Sequence, residues 1–142
     1  MDAISPEFEL TDAELHLYSR QILLDGWDIE AQEKLKFSNV CIVGCGGIGC
    51  ALAELLARAG IGKITLIDPD TIEMSNLQRQ LAFTPNDLGF YKAEILAKRL
   101  AQINPNVQVE YINQALTTEN AESIIEHQDL IMDGCDQFET RY

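Results

Sequence analysis

Residues Gly44 to Gly49 (GCGGIG) are spaced as G-x-G-x-x-G, with an extra glycine at Gly47. The apolar run VCIVG leads into them and the helically periodic IGCALAELLARAG follows. Between a strand and a helix this pattern binds phosphate. Gly44 permits a tight turn, Gly46 removes a side chain from the phosphate's approach, Gly47 widens the opening, and Gly49 lets helix and strand pack closely. The N–H groups at the helix start then face the anion. A second buried-strand pattern, KITLID, ends in Asp68, 19 residues past Gly49, close to the ~20 at which an acid reaches ribose hydroxyls. The glycines could serve only a tight strand-to-helix turn, but with Asp68 at this spacing they point to an adenosine nucleotide.

A dinucleotide pyrophosphate can be held almost wholly by backbone N–H groups. Cleavage between the α- and β-phosphates of ATP instead builds charge on the leaving pyrophosphate, which cations must offset. Arg79, in SNLQRQ, and Lys92, just before the next helical pattern, are candidates. Each alone reads as a solvated surface charge; together with Asp68 both fall where loops converge at the carboxyl edge of a parallel sheet. Asp136, in LIMDGCDQ, lies beyond another strand's carboxyl end and could hold Mg²⁺. Asp133 competes for that role, and a helix N-cap is the plain alternative. Arg20, in YSRQILLDG, sits on an amphipathic helix outside this unit and by itself reads as an ordinary surface arginine.

The elements that must position these residues follow from periodicity. Thr11 and Glu14 form a capping box that starts a helix expected over about Thr11 to Leu24, with Leu15, Tyr18 and Ile22 on one face. IEAQEKLKF is a second short helix leading to a strand entry at Ser38–Asn39. VCIVG, the glycine turn, the helix to Gly60 and KITLID make one strand–helix–strand unit. YKAEILAKRLAQIN is an amphipathic helix closed by Pro105, VQVEYI alternates as a strand, TTENAESIIEH is helical, and DLIMDGCD is a further buried strand. Alternating strands and helices predict an α/β fold with a Rossmann-like, doubly wound, mainly parallel sheet and an N-terminal helical flap. Residues 1–8 (MDAISPEF) read as a tag or cloning remnant, 9–38 as the N-terminal helices and 39–142 as the nucleotide-binding half of a larger domain, since no element signal closes the sheet after QFETRY.

Bulk properties narrow the partners. With 10 Lys+Arg against 23 Asp+Glu, a net charge of -13 repels nucleic acid and anionic lipid. No run approaches the ~20 apolar residues needed to cross a bilayer, and the N-terminus has no secretory pattern. A cytoplasmic protein is expected. The four cysteines, Cys41, Cys45, Cys50 and Cys135, form no C-x2-C pair and read as buried, reduced thiols.

YSRQILLDG, VCIVGCGGIGC, GIGKITLIDPDTIEMSNLQRQ, INPNVQV and DLIMDGCD, in this order, make the chain resemble the MoeB/ThiF/HesA family, the bacterial relatives of ubiquitin-activating enzymes. The resemblance runs from Leu10 to the end and covers about the first half of that family's fold. It implies binding of ATP with Mg²⁺ and transfer of AMP to the C-terminal glycine of a ubiquitin-like sulfur carrier in molybdopterin or thiamin biosynthesis. It further implies that Gly47 approaches the phosphates and Asp68 takes the ribose, that Asn76, Arg79 and Lys92 contact phosphates, and that Asp136 is the Mg²⁺-linked aspartate. Arg20 matches an arginine that the family's homodimer inserts into the neighbouring site. No catalytic cysteine is expected, because the carrier's own carboxylate attacks the α-phosphate. The family's covalent-link cysteine and zinc-binding C-x2-C pairs lie beyond Tyr142. LGFYK before Lys92 and Gln137 after Asp136 depart from the family pattern. Two other functions fit part of the same residues: an NAD-dependent oxidoreductase, which the glycine turn and Asp68 alone would permit, and a non-catalytic dimerisation or docking module.

Overall fold

The computed structural model describes residues 10–135. Helices α1 (Asp12–Leu17), α2 (Ser19–Ile22) and α3 (Ile29–Lys36) precede strand β1 (Asn39–Val43), helix α4 (Gly47–Ala59) and strand β2 (Lys63–Ile67). A long loop with 3₁₀ turns at Met74–Asn76 and Pro85–Asp87 leads to α5 (Lys92–Ile103), followed by β3 (Gln108–Ile112), α6 (Ala121–Ile125) and β4 (Leu130–Asp133). Among the described residues the four strands are all parallel and ordered β3-β2-β1-β4. That order is the 3-2-1-4 of a doubly wound sheet, as the sequence predicts.

Strands β1 and β2 lie in the middle and are buried on both faces. Val40, Ile42, Ile64 and Leu66 pack with Ala53 and Ala57 of α4 and Leu96 and Leu100 of α5. The alternate residues Cys41, Val43 and Ile67 face the other way, onto Ile112, Leu116 and Ile124. A strand covered on both sides has no polar face to alternate with, which is why VCIV and ITLI read as continuous apolar runs. Among the described residues β4 is an edge strand, with Leu130 50% and Ile131 44% exposed, so the burial expected of it is not seen among them.

The single helix expected over Thr11–Leu24 is two short ones. The capping box forms, Glu14 N–H donating to Thr11 Oγ1 at 3.1 Å and Thr11 N–H to Glu14 Oε2 at 3.2 Å. The helix breaks at Tyr18 (φ -99, ψ 12), whose ring is buried and whose hydroxyl accepts a 2.8 Å hydrogen bond from Asn104 Nδ2. Anchoring that ring against the end of α5 overrides local helical propensity. Leu15 and Ile22 still turn inward, half-buried. Beneath them Gln32, fully buried, donates to Ala59 O at 2.8 Å and accepts from Trp27 Nε1 at 3.2 Å, fastening the flap to the far end of α4.

α6 is shorter than TTENAESIIEH, because Thr117 and Asn120 close a turn on each other's backbone (2.7 and 3.3 Å) before the helix starts. Among the described residues no helix is long and apolar enough to cross a membrane.

Candidate functional site

The carboxyl ends of β1 and β2 open into a cavity of about 820 Å³, within the size range of small-molecule sites. Its floor is the glycine turn. Gly44 has φ +99, and a side chain there would meet Gly134 C at 2.7 Å. At Gly49 a Cβ would lie 1.8 Å from Gly44 O, so α4 can approach β1 this closely only with glycine at this position. Gly46 and Gly47 differ. Added carbons would find nothing nearer than 3.6 and 3.8 Å, ordinary contact distances, so the protein itself does not require glycine there, and both line the cavity. Gly46 gives α4 no side-chain cap, leaving the helix's first N–H groups for a ligand.

Asp68, at the end of β2, is 7% exposed. Its Oδ2 accepts Cys45 N–H at 2.8 Å and its Oδ1 accepts Asp70 N–H at 2.7 Å. Burial pushes the carboxyl up from the ordinary aspartate range, against the downward pull of those two donors and of Lys92. A sequence reading that gave Asp68 only to a ribose missed this second task, holding the glycine turn in place.

The loop after β2 folds back over the turn and carries the polar residues. Asn76 is buried and its Oδ1 accepts Glu73 N–H at 2.8 Å, so its NH₂ group remains to donate. Arg79 is exposed, with Nη1 on Ser75 O at 3.1 Å and its stem beside Gly47. Lys92 is the first residue of α5 rather than the one before it, 7% exposed, on the cavity wall. An antiparallel bridge between Thr71 and Tyr91 and the 3.0 Å bond from Lys92 N–H to Asp70 O hold it there, so the unusual LGFYK loop still delivers the lysine. Among the described residues no carboxylate lies within 4.0 Å of its ammonium.

Thus Gly44, Gly46, Gly47, Asp68, Asn76, Arg79 and Lys92 line one cavity, with Gly49 packed behind. Arg20 does not join them: it is exposed on α2, outside the cavity lining. Asp136 lies outside the described residues. Asp133, its competitor, holds Cys135 N–H at 3.0 Å through Oδ1. The cysteines carry no disulfide among the described residues. Burial pushes Cys41 and Cys50 up to about 11, and raises Cys45 well above the ordinary thiol range with the Asp68 carboxylate adding to it.

The sequence reading passed over Gln80 and the segment Gln114–Leu116, which also line the cavity. Gln80 adjoins Arg79 in NLQRQ, but nothing in its type marks it as buried.

Residues 18–142 match the ThiF family. The chain is 45% identical over 133 residues to molybdopterin-synthase adenylyltransferase of Haemophilus influenzae, covering 94% of this chain and 55% of that protein. It is 40% identical over 132 residues to sulfur carrier protein ThiS adenylyltransferase of Escherichia coli, covering 93% and 53%. The fold is similar to E. coli tRNA N6-threonylcarbamoyladenosine dehydratase, TcdA, solved in complex with ATP, with a TM-score of 0.83 and 32% identity over 89% of this chain and 52% of that one. The chain thus spans about half the length of the curated relatives it matches. By its matched residues, its identity to these relatives and its strand order, the chain belongs to the ThiF family.

Proposed function

We propose that this chain binds ATP and supplies the nucleotide site of an adenylyltransferase. That enzyme transfers AMP to the C-terminal carboxylate of a small ubiquitin-like sulfur carrier, in molybdopterin or thiamin biosynthesis. The observation that carries the reading is Lys92: a buried lysine with no carboxylate within 4.0 Å among the described residues, on the wall of a glycine-floored cavity. Asp68 attracts it only from beyond salt-bridge distance, so the charge is incompletely offset and suits a site whose ligand brings a further anion. NAD needs no such cation, whereas the pyrophosphate leaving ATP does.

In this reading the phosphates sit on Gly46, Gly47 and the start of α4, Asp68 meets the ribose, and Asn76, Arg79 and Lys92 surround the phosphate oxygens. A carrier carboxylate oxygen attacks the α-phosphorus, the bond to the bridging oxygen breaks, and its electron pair leaves with pyrophosphate. The nucleophile is already ionised, so the protein's part is positioning and charge stabilisation rather than proton abstraction. Asp136 is the residue proposed to hold Mg²⁺, which when bound neutralises phosphate charge using one or two carboxylates, phosphate oxygens and water. Asp133, already committed to the Cys135 N–H, is the lesser candidate. Arg20 is exposed and does not line this chain's own cavity, so its proposed role requires a second copy of the chain in a homodimer. A cytoplasmic setting, where ATP and reduced thiols coexist, follows from the same reading.

Calorimetric titration of this chain with ATP plus Mg²⁺ and, separately, with NAD tests the proposal. Saturable heat with ATP is expected; heat with NAD alone, or with neither, overturns it.

A further inference from the structure

Gln80 is 3% exposed, lines the cavity, and has a side-chain oxygen, Oε1, that is buried without a hydrogen-bond partner. Its backbone is fixed on both sides: its N–H donates to Asn76 O at 2.9 Å and its carbonyl accepts Phe83 N–H at 3.2 Å. That leaves the carboxamide pointed at the glycine turn, with Nε2 3.6 Å from where a Cβ on Gly46 would lie. An apolar side chain of the same size would fill this position without stranding a polar atom, and a stranded one is costly. Retention of a carboxamide is explained when its other end has a partner that the protein does not supply. The cavity that Gly46 and Gln80 both line lies beside that end, next to the uncapped start of α4. An anion seated there would draw the NH₂ group toward itself, the orientation that turns Oε1 back into the protein.

We propose that Gln80 is a further phosphate-binding residue of this cavity, its NH₂ group donating to the phosphate held on the glycine turn. The inference rests on the nucleotide reading above and adds to it a donor that is neutral. Arg79 and Lys92 supply charge that attracts any anion. A buried carboxamide in a fixed position adds direction, favouring an acceptor oxygen at one place on the turn.

The test compares ATP with adenosine, which has the same base and sugar but no phosphate, on wild type, Gln80→Met and Gln80→Glu. Gln80→Met keeps the volume and removes the donor; Gln80→Glu keeps the shape and sets a carboxylate against the phosphate. ATP affinity is expected to fall about tenfold in Gln80→Met and further in Gln80→Glu, with adenosine affinity unchanged in both. A residue that merely supported the loop would weaken both ligands together, and that result overturns the proposal, as does an unchanged ratio of the two affinities. Wild type that binds neither ligand overturns the nucleotide reading itself and this inference with it, whereas wild type that binds both while the ratio stays fixed removes Gln80 alone.

Discussion

The carboxylate of Asp68 accepts the backbone N–H of Cys45 at 2.8 Å, tying the end of β2 to the glycine turn that follows β1. The group that would meet a nucleotide's sugar thereby also sets the position of the backbone that would meet its phosphates. Two parts of the site are tied through one carboxylate, because one oxygen faces the turn and the other the loop through Asp70 N–H. Preorganisation of this kind lowers the ordering cost of binding.

Asp68 should therefore leave a mark on the pH dependence of folding. Burial raises its carboxyl above the ordinary aspartate range, so the folded chain holds this proton more tightly than the unfolded chain. The stability this contributes is present on the acid side and is lost as pH rises from the unfolded value through the folded one. Asp68→Asn cannot titrate. The wild-type-minus-variant difference in unfolding free energy, measured by denaturant titration, should fall as pH rises through that window. A flat or rising difference would contradict the assignment.

Lys92 separates stability from binding. Its ammonium is buried on the cavity wall with no carboxylate in salt-bridge range among the described residues. Lys92→Met should change stability by no more than about 1 kcal/mol, since removing a buried charge that makes no salt bridge offsets the loss of its longer-range attraction to Asp68. The same substitution should weaken ATP by about tenfold to a hundredfold. Thermal unfolding and calorimetry together check this; a large loss of stability would mean that Lys92 holds the fold rather than a ligand.

Much of this architecture could be read before any coordinates, and the parts that could not share a cause. The unit from β1 through β2 is legible because both strands are buried on both faces and Gly44 and Gly49 are demanded by local geometry. The break at Tyr18 is not, since it is made by Asn104, 86 residues away. Gln80 is invisible for a similar reason: that Oε1 lacks a partner is a property of the packed loop, not of the string NLQRQ. Asp68 was legible as an acid at the right spacing but not as the clamp on Cys45, which needs the turn and the strand end to meet.

Cysteine chemistry should single out one thiol. Cys41, Cys45 and Cys50 are buried, and burial raises all three, so little thiolate forms at neutral pH. Cys135 is only half-buried and lines the cavity. Iodoacetamide on the folded chain should label Cys135 first, and ATP should slow that labelling. Mass spectrometry after limited reaction identifies the site, and preferential labelling of Cys45 would show that the glycine turn opens far more readily than its packing implies.

The four glycines of the turn should fail in two different ways. A methyl group at Gly49 would sit 1.8 Å from Gly44 O, backbone against backbone with no flexible side chain to yield. Gly49→Ala should therefore cost about 3 kcal/mol or more of stability. At Gly47 the nearest atoms are Arg79 O at 3.8 Å and Arg79 Cγ at 3.9 Å, ordinary contact distances, and the residue is already the first of helix α4. Gly47→Ala should keep stability within about 0.5 kcal/mol, yet intrude on the space where the phosphates are proposed to lie and weaken ATP clearly. The pair distinguishes glycine needed by the fold from glycine needed by a ligand. Equal destabilisation by both, measured by denaturant titration alongside ATP binding, would mean that the whole turn is structural and that the cavity beside Gly46 and Gly47 is not where the nucleotide binds.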